Sequence, residues 1–398
     1  MLDAAEQFGF PEQNEVEAGP PPIAAQTAIV HDWFQGFHGA ERVVEAMRTG
    51  LFVDASPDIY TFHAARELLP AGLAAAIVRE SKIASLPGIR QRVEHPGHWR
   101  NLLPVMPHYF SRLDLQEYDL VISSSHAFAA NVRTRSDALH VCYCYTPLRY
   151  AWLPEIERGR ALGTKALALS LLRKRLRRID RAASVRPDGY VAISSAVRDR
   201  IRRFYERDSV VIHPPVDVEE FDPTQEKDAE RFLWIHRLVS YKHPELVAEA
   251  FRELPYRLTM VGIGPLEARL RKDLPPNVDL RGWLSREELA RLLARSAGFI
   301  HVGNEDFGIT MVEALASGTP VIALNRGGAR DIVRSGIDGL LIDRPDPADI
   351  RSAVRALIRS RWDPRRLADG AQRFSRPRFL LELRTYLDEL SEKRGVHL

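Results

Sequence analysis

Cysteine is almost missing from this chain: two thiols, Cys142 and Cys144, in 398 residues. That excludes a disulfide framework. Residues two apart on a strand face the same side, so the pair ligates a metal only with outside help; two small core residues on a buried strand are the alternative. No apolar run approaches the roughly 20 residues that cross a bilayer. The N-terminus has neither the basic start nor the apolar core of a signal peptide, so the chain reads as cytoplasmic. Neither sign of charge dominates, since 56 basic and 53 acidic residues leave a net +3, and there is no global case for nucleic-acid or membrane binding. No G-x-S-x-G nucleophile, P-loop or H-E-x-x-H zinc motif occurs. What remains, 45% apolar and 27% charged residues, is the composition of a globular protein with two or three domains.

The balanced total conceals an uneven distribution. Residues 1–27 carry five acids and no base, and residues 165–207 carry thirteen Lys/Arg against four Asp/Glu. The first segment ends in Gly-Pro-Pro-Pro at 19–22 and reads as a disordered acidic tail. Short apolar runs at 28–30, 59–62, 120–123, 140–143 and 190–193 predict buried strands, with longer helical patterns such as 41–47 between them. A second series begins at 232–235 and continues at 257–261, 278–280, 298–301 and 320–323, with 340–342 as a last candidate. Helical spacing at 244–252 and 286–293 separates its members. Between the two series lies VVIHPPVDVEEFDP, residues 210–223, whose prolines interrupt regular structure. The fold class is therefore α/β, with two Rossmann-like, doubly wound domains. Their limits are a tail at 1–27, a first domain at 28–215 and a second at 216–375, with a last helix at 376–398 packing back on the first. Two such domains place a cleft between the carboxyl ends of two sheets, where open α/β sheets bind ligands.

Candidate chemistry gathers at those ends. In GNEDFGITMVEALASG, residues 303–318, Glu305 and Glu313 are eight apart and Gly308 stands where a strand gives way to a helix. Amides of 307–310 would meet an anion there, and Glu313 would accept from sugar or ribose hydroxyls. Two helix-start glutamates favoured by the macrodipole are the alternative. In WIHRLVSYKHP, residues 234–244, Arg237 and Lys242 follow a strand and suit a diphosphate, a guanidinium fork beside a point charge. Two solvated surface cations fit the spacing as well. Gly262 and Gly264 make a Gly turn that lacks the third glycine of a dinucleotide fingerprint, so a dehydrogenase is excluded. Gly36 and Gly39 allow close approach of backbone to a phosphate, or simply make a turn. His126 and His31 each follow a buried strand, as catalytic or as structural histidines.

Taken in order, VHDWFQGFHGAERVVEAM, YDLVISSSHAFA, HVCYCYTPLRYAW, VVIHPPVDVEEF, HRLVSYKHPELVAEAF, VGIGPLEARL and EDFGITMVEALASGTPVIALNRGGARDIV resemble the family 4 glycosyltransferases of the GT-B fold. The resemblance covers most of the chain. S-S-H-A-F-A, the run from Cys142 to Trp152 and I-H-P-P-V-D bring it nearest to GDP-mannose-dependent mannosyltransferases of bacterial surface-polysaccharide and lipid-linked oligosaccharide synthesis. It implies a retaining transfer of a hexose from a nucleotide sugar to a saccharide or polyprenyl-diphosphate-linked acceptor, with no metal and no other cofactor. It places the acceptor on the first domain and the nucleotide sugar on the second. By the same resemblance Glu305 contacts the donor sugar, Glu313 the ribose, and Arg237 and Lys242 the leaving diphosphate. Phe307, Gly308 and Ile309 offer amides to sugar and phosphate, and Gly39 approaches the diphosphate. The base is recognised near Gly262, Gly264 and Trp283, and His126 lines the acceptor side. One departure stands out: Tyr145 occupies the position before Thr-Pro where the subgroup has a histidine. If that position touches the acceptor, acceptor choice changes; if it packs, nothing follows. A nucleotide-sugar epimerase of the same fold and a non-enzymatic nucleotide-sugar-binding protein are the rival readings. The basic stretch 165–186, with Leu169, Leu172, Leu176 and Ile179 at helical spacing, reads either as a helix lying on an anionic membrane, at the inner face of the plasma membrane, or as an ordinary domain helix with a solvated face. No nucleic-acid partner is expected.

Overall fold

Strands buried on both faces are near-continuous in apolar residues, and such strands belong to parallel sheets covered by helices. The computed structural model describes residues 22–52, 57–84, 86, 99–153 and 164–398, with the backbone alone at 99–100 and 164–171. These divide into two compact units, one running to Pro215 and including Phe379–Leu398, the other Val216–Arg378.

The first unit holds seven strands: β1 (Thr27–His31), β2 (Asp58–Thr61), β3 (Ile77–Arg79), β4 (Leu120–Ser125), β5 (Leu139–Cys144), β6 (Gly189–Ala192) and β7 (Val210–Val211). The second holds six: β8 (Asp228–Ile235), β9 (Arg257–Val261), β10 (Val278–Arg281), β11 (Ser296–His301), β12 (Val321–Leu324) and β13 (Gly339–Ile342). Their orders are β3-β2-β1-β4-β5-β6-β7 and β10-β9-β8-β11-β12-β13, and every neighbouring pair is parallel. Both are doubly wound sheets, as the sequence predicts. Each reverses direction beside its first strand, between β1 and β4 and between β8 and β11. Ligands of this architecture bind outside the carboxyl ends at that reversal.

Two expectations need correction, and one strand is additional to those predicted. The acidic segment 1–21 lies outside the described residues, but order begins before the predicted residue 28: Ile23 is buried, bridges Phe52, and donates its amide to the Leu51 carbonyl at 2.8 Å. The stretch 210–223 is not wholly irregular, because β7 extends the first sheet just ahead of Pro214 and Pro215. And β3, whose Val78 and Arg79 face solvent, joins the other edge, its apolar run shared with the short helix at Ala71–Ala76 directly before it.

Five helices matter below: α1 (Gly39–Gly50), α2 (Thr164–Ala183), α3 (Arg286–Ala294), α4 (Ile309–Ala316) and α5 (Arg376–Arg394). α1 starts two residues before its predicted limit, because the Glu41 carboxylate accepts from the His38 amide at 3.2 Å and closes the first turn. Reciprocal bonds between Ser285 and Glu288 start α3. α5 belongs largely to the first unit. Phe379, Leu383 and Leu387 recur every four residues and are buried, each contributing about 1.5–3 kcal/mol. Phe379 packs edge-on against Tyr143, and Gly50 and Gly189 leave room for Leu380 and Tyr386.

Candidate functional site

At the reversal point of the second sheet, His236 directly follows β8 and His301 ends β11. After β8 the chain makes a tight turn over Ser240–Lys242, and Lys242 is only 4% exposed. Its ammonium pairs with the Glu305 carboxylate. Gly303 makes this passage possible, since a Cβ there would stand 2.8 Å from Lys242 Cδ. The reading of Lys242 as a solvated surface cation is therefore wrong. A buried pair that loses one partner is destabilised by about 3–5 kcal/mol, a figure to be reduced here because Glu305 is partly exposed. Arg237 differs: it is exposed, and no ion pair holds it among the described residues.

Glu305 is framed on its other sides too. His236 Nδ1 is 3.8 Å from Oε1 and His301 Nε2 is 3.7 Å from Oε2. Burial holds both imidazoles well below the usual histidine range, with Lys242 adding to the effect, and both are neutral. The Glu305 backbone is fixed by Gly327 and Gly328 from the loop after β12. The Gly328 amide donates to the Glu305 carbonyl at 3.0 Å, and Gly327, at φ +62°, lies so close that a Cβ would overlap that carbonyl. Gly308, at φ +106°, caps α4, whose first amides have no acceptor within the helix. Ile309 opens the helix, and the Phe307 ring is buried against Phe374. Neither Glu305 nor Glu313 lies in the first turn of α4, so the macrodipole does not account for them. Glu313 receives the Arg286 guanidinium at 3.2 Å, and Arg286 also pairs with Glu220 and lies over the Phe221 ring.

Gly262 and Gly264 have a reason inside the protein. A Cβ at 262 would overlap the His236 carbonyl, one at 264 would come within 2.5 Å of the Leu238 carbonyl, and Leu238 donates its amide to Ile263 at 3.0 Å. The two glycines thus hold the loop after β8 in place. Beside them Trp283 is 77% exposed and Ile263 is exposed as well.

The reversal point of the first sheet is built around Asp32. This buried carboxylate accepts the amides of four successive residues, His126 and Ala127 on Oδ2 and Phe128 and Ala129 on Oδ1. Burial raises its pKa, against the pull of those amides. His126 lies 3.6 Å from Asp32, packs edge-on against Trp33, and keeps part of its ring exposed. Burial and Arg149 bring it to about 3, so it offers a neutral imidazole at pH 7. His31, also near 3 through burial and His126, is wholly enclosed and 3.0 Å from Ser124 Oγ. Tyr145, just past β5, donates its hydroxyl to the Ala40 carbonyl at 3.1 Å and lies in hydrogen-bond reach of Ser124 Oγ at 2.9 Å, tying the end of β5 to the first turn of α1. Gly39 is the first residue of that helix, and a Cβ at Gly36 would crowd His38.

Sequence reasoning missed Asp32, His236, His301, Arg286 and the Gly327–Gly328 pair as site-builders; only the Gly-Gly dipeptide carries a local signal. In α2, Leu176 is buried and Arg177 donates to the Ala151 carbonyl, whereas Lys174, Arg175, Arg178 and Arg181 face solvent. No helix of the described residues is long and apolar enough to cross a membrane, and no group of His, Cys, Asp or Glu among them could hold a metal ion.

Two family models match in series, Glycosyltransferase Family 4 at residues 37–220 and Glycosyl transferases group 1 at 216–374. A D-inositol 3-phosphate glycosyltransferase of Geodermatophilus obscurus is 30% identical over 204 residues, 42% of this chain and 43% of that protein. A GDP-mannose-dependent alpha-mannosyltransferase of Corynebacterium glutamicum is 34% identical over 143 residues, 33% of this chain and 34% of that protein. Curated relatives such as these are matched over 26% to 62% of their own length. Anabaena HepE, solved in complex with UDP, superposes with a TM-score of 0.65 at 17% identity, covering 92% of this chain and all of that one. At that identity the likeness establishes the fold alone, which is GT-B.

Proposed function

We propose that this chain, matched by the Glycosyltransferase Family 4 model at residues 37–220 and by the Glycosyl transferases group 1 model at 216–374, transfers a hexosyl group from a nucleotide diphosphate sugar to a saccharide hydroxyl. The observation that carries this reading is the pairing of buried Lys242 with Glu305 beside the start of α4, with exposed Arg237 on the same loop as Lys242. As the sugar leaves, negative charge develops on the β-phosphate, and fixed cations with helix amides stabilise it without a metal. Glu305 then takes hydroxyls of the sugar, Glu313 the ribose, and the amides of Phe307, Gly308 and Ile309 the sugar and phosphate. Gly262, Gly264 and exposed Trp283 are given to the base, Gly39 to a phosphate and His126 to the acceptor. Configuration is retained by same-face attack: the acceptor oxygen bonds to the anomeric carbon, the bond to the β-phosphate breaks, and a leaving phosphate oxygen receives the hydroxyl proton. On that route Glu305 forms no covalent intermediate, and the two-carboxylate scheme of glycosidases does not apply.

GDP-mannose is the donor we favour, supported by the likeness to the Corynebacterium glutamicum enzyme, with a lipid-linked saccharide as acceptor. The exposed cations of α2 suit an anionic membrane surface on the cytoplasmic side. A thermal-shift screen of GDP, UDP and ADP sugars tests the donor. A ligand at 100 times its Kd stabilises by about 2.7 kcal/mol, and GDP-mannose is expected to do so. Stabilisation by UDP sugars alone refutes mannose, and stabilisation by none refutes a nucleotide-sugar site. Lys242→Ala, if its circular dichroism matches the wild type, should transfer at least about tenfold more slowly, equivalent to 1.4 kcal/mol. Full activity would refute the diphosphate role.

A further inference from the structure

Beneath the Lys242–Glu305 pair lies a small store of unused hydrogen-bonding capacity. His236 and His301 pack edge to face, with ring centroids 4.4 Å apart. His236 Nε2 and both nitrogens of His301 are buried with no hydrogen-bond partner among the described residues. Buried polar atoms are ordinarily paired, and His301 Nε2, an orphan that faces the Glu305 carboxylate, requires an explanation. His236 Nδ1 and His301 Nε2 face opposite oxygens of Glu305 at 3.8 and 3.7 Å, a few tenths of an ångström beyond a hydrogen bond.

We infer that His236 and His301 are positioning residues that take over the Glu305 carboxylate when Lys242 turns to an incoming diphosphate. The inference rests on the proposed function, in which that ammonium meets a diphosphate. A diphosphate carries more charge than a carboxylate and competes for the ammonium. Glu305, weakened in its hold on Lys242 and brought beside a new anion, is repelled unless other donors replace what it loses. A small shift toward the imidazoles supplies one N–H for each oxygen, with His236 as its Nδ1–H tautomer and His301 as its Nε2–H tautomer. Because both rings are neutral, neither locks the carboxylate as a permanent ion pair while Lys242 still holds it.

Two substitutions separate positioning from packing. His301→Phe keeps a ring and removes both nitrogens, whereas His301→Asn restores an N–H donor at the expense of volume. Positioning predicts that the Phe variant loses at least about tenfold in kcat with its Kd for GDP or UDP unchanged, and that the Asn variant regains most of the loss. Packing predicts the reverse ranking, and that ranking would overturn the inference. Should either variant fail to fold, histidine 15N spectra of the wild-type protein decide. Saturating GDP or UDP, whichever binds, should convert His236 and His301 to hydrogen-bonded Nδ1–H and Nε2–H forms, and unchanged signals refute the exchange. If the wild-type protein binds no nucleoside diphosphate and transfers no sugar, the proposed function fails and takes this inference with it. If it does both and His301→Phe behaves as wild type, the inference fails alone.

Discussion

Replacing Asp32 should test how much of the first unit hangs on a single carboxylate. Its Oδ1 accepts from Phe128 at 2.5 Å and Ala129 at 2.8 Å, and its Oδ2 from His126 at 2.7 Å and Ala127 at 2.8 Å. These four amides follow one another where β4 ends, so no strand neighbour accepts them. Asp32→Ala leaves four donors unpaired at about 1–3 kcal/mol each, in total about 4–12 kcal/mol before relaxation. That compares with the whole stability of a typical domain, about 5–15 kcal/mol. Asp32→Asn keeps one oxygen and two amides but turns an NH2 group toward the other two, so it should cost about half as much. Urea denaturation of the wild type and both variants, followed by circular dichroism, measures the series. Hydrogen exchange at residues 126–129 locates it, and the Asn variant should expose one pair of amides rather than four. Equal losses for Asn and Ala would mean that charge, not the number of acceptors, matters. A loss under about 1 kcal/mol for Ala would refute the account altogether.

Two further outcomes follow from strained or shifted groups. Burial raises Glu41 from 4.5 to about 7, so the folded chain keeps a proton that the unfolded chain releases above about pH 4.5. Its contribution is thus fully present below pH 4.5 and is lost as the pH rises to 7, about 3 kcal/mol in all. In thermal melts Glu41→Gln should therefore gain on the wild type between pH 5 and pH 8; a constant difference would disprove the shift. Gly327→Ala places a Cβ against the Glu305 carbonyl at a positive φ, which costs about 1–2 kcal/mol in backbone strain alone. It should lower transfer rate more than nucleotide affinity, and an unaltered rate would show that the Glu305 loop tolerates displacement.

Much of this architecture was legible because apolar runs and Gly or Pro punctuation mark it. β9 has the predicted limits, bounded by Arg257 and Gly262. β4 runs past its predicted end because Ser124 and Ser125 are buried as if apolar, and β7 is too short to show a period. Lys242 and Glu305 could be found from their motifs, but their direct pairing could not. The rest of the site was hidden for a physical reason. Asp32 is 95 residues from Ala127, and a buried polar group announces itself only through partners that the fold brings to it. His236 and His301 stand at the ends of different strands, one just past β8 and one closing β11, and nothing in their local sequence distinguishes them from packing histidines.

The return of Phe379–Leu398 to the first unit makes residues 216–378, in connectivity, an insertion between β7 and the greater part of α5. During synthesis the second sheet has all its strands while the first still lacks the helix that covers Tyr143, Gly50 and Gly189. At ordinary elongation rates the ribosome takes about 10–30 s to make residues 216–378, and through that interval an apolar strip of the first unit stays open to chaperones or to neighbouring chains. The unit that begins first is therefore completed last.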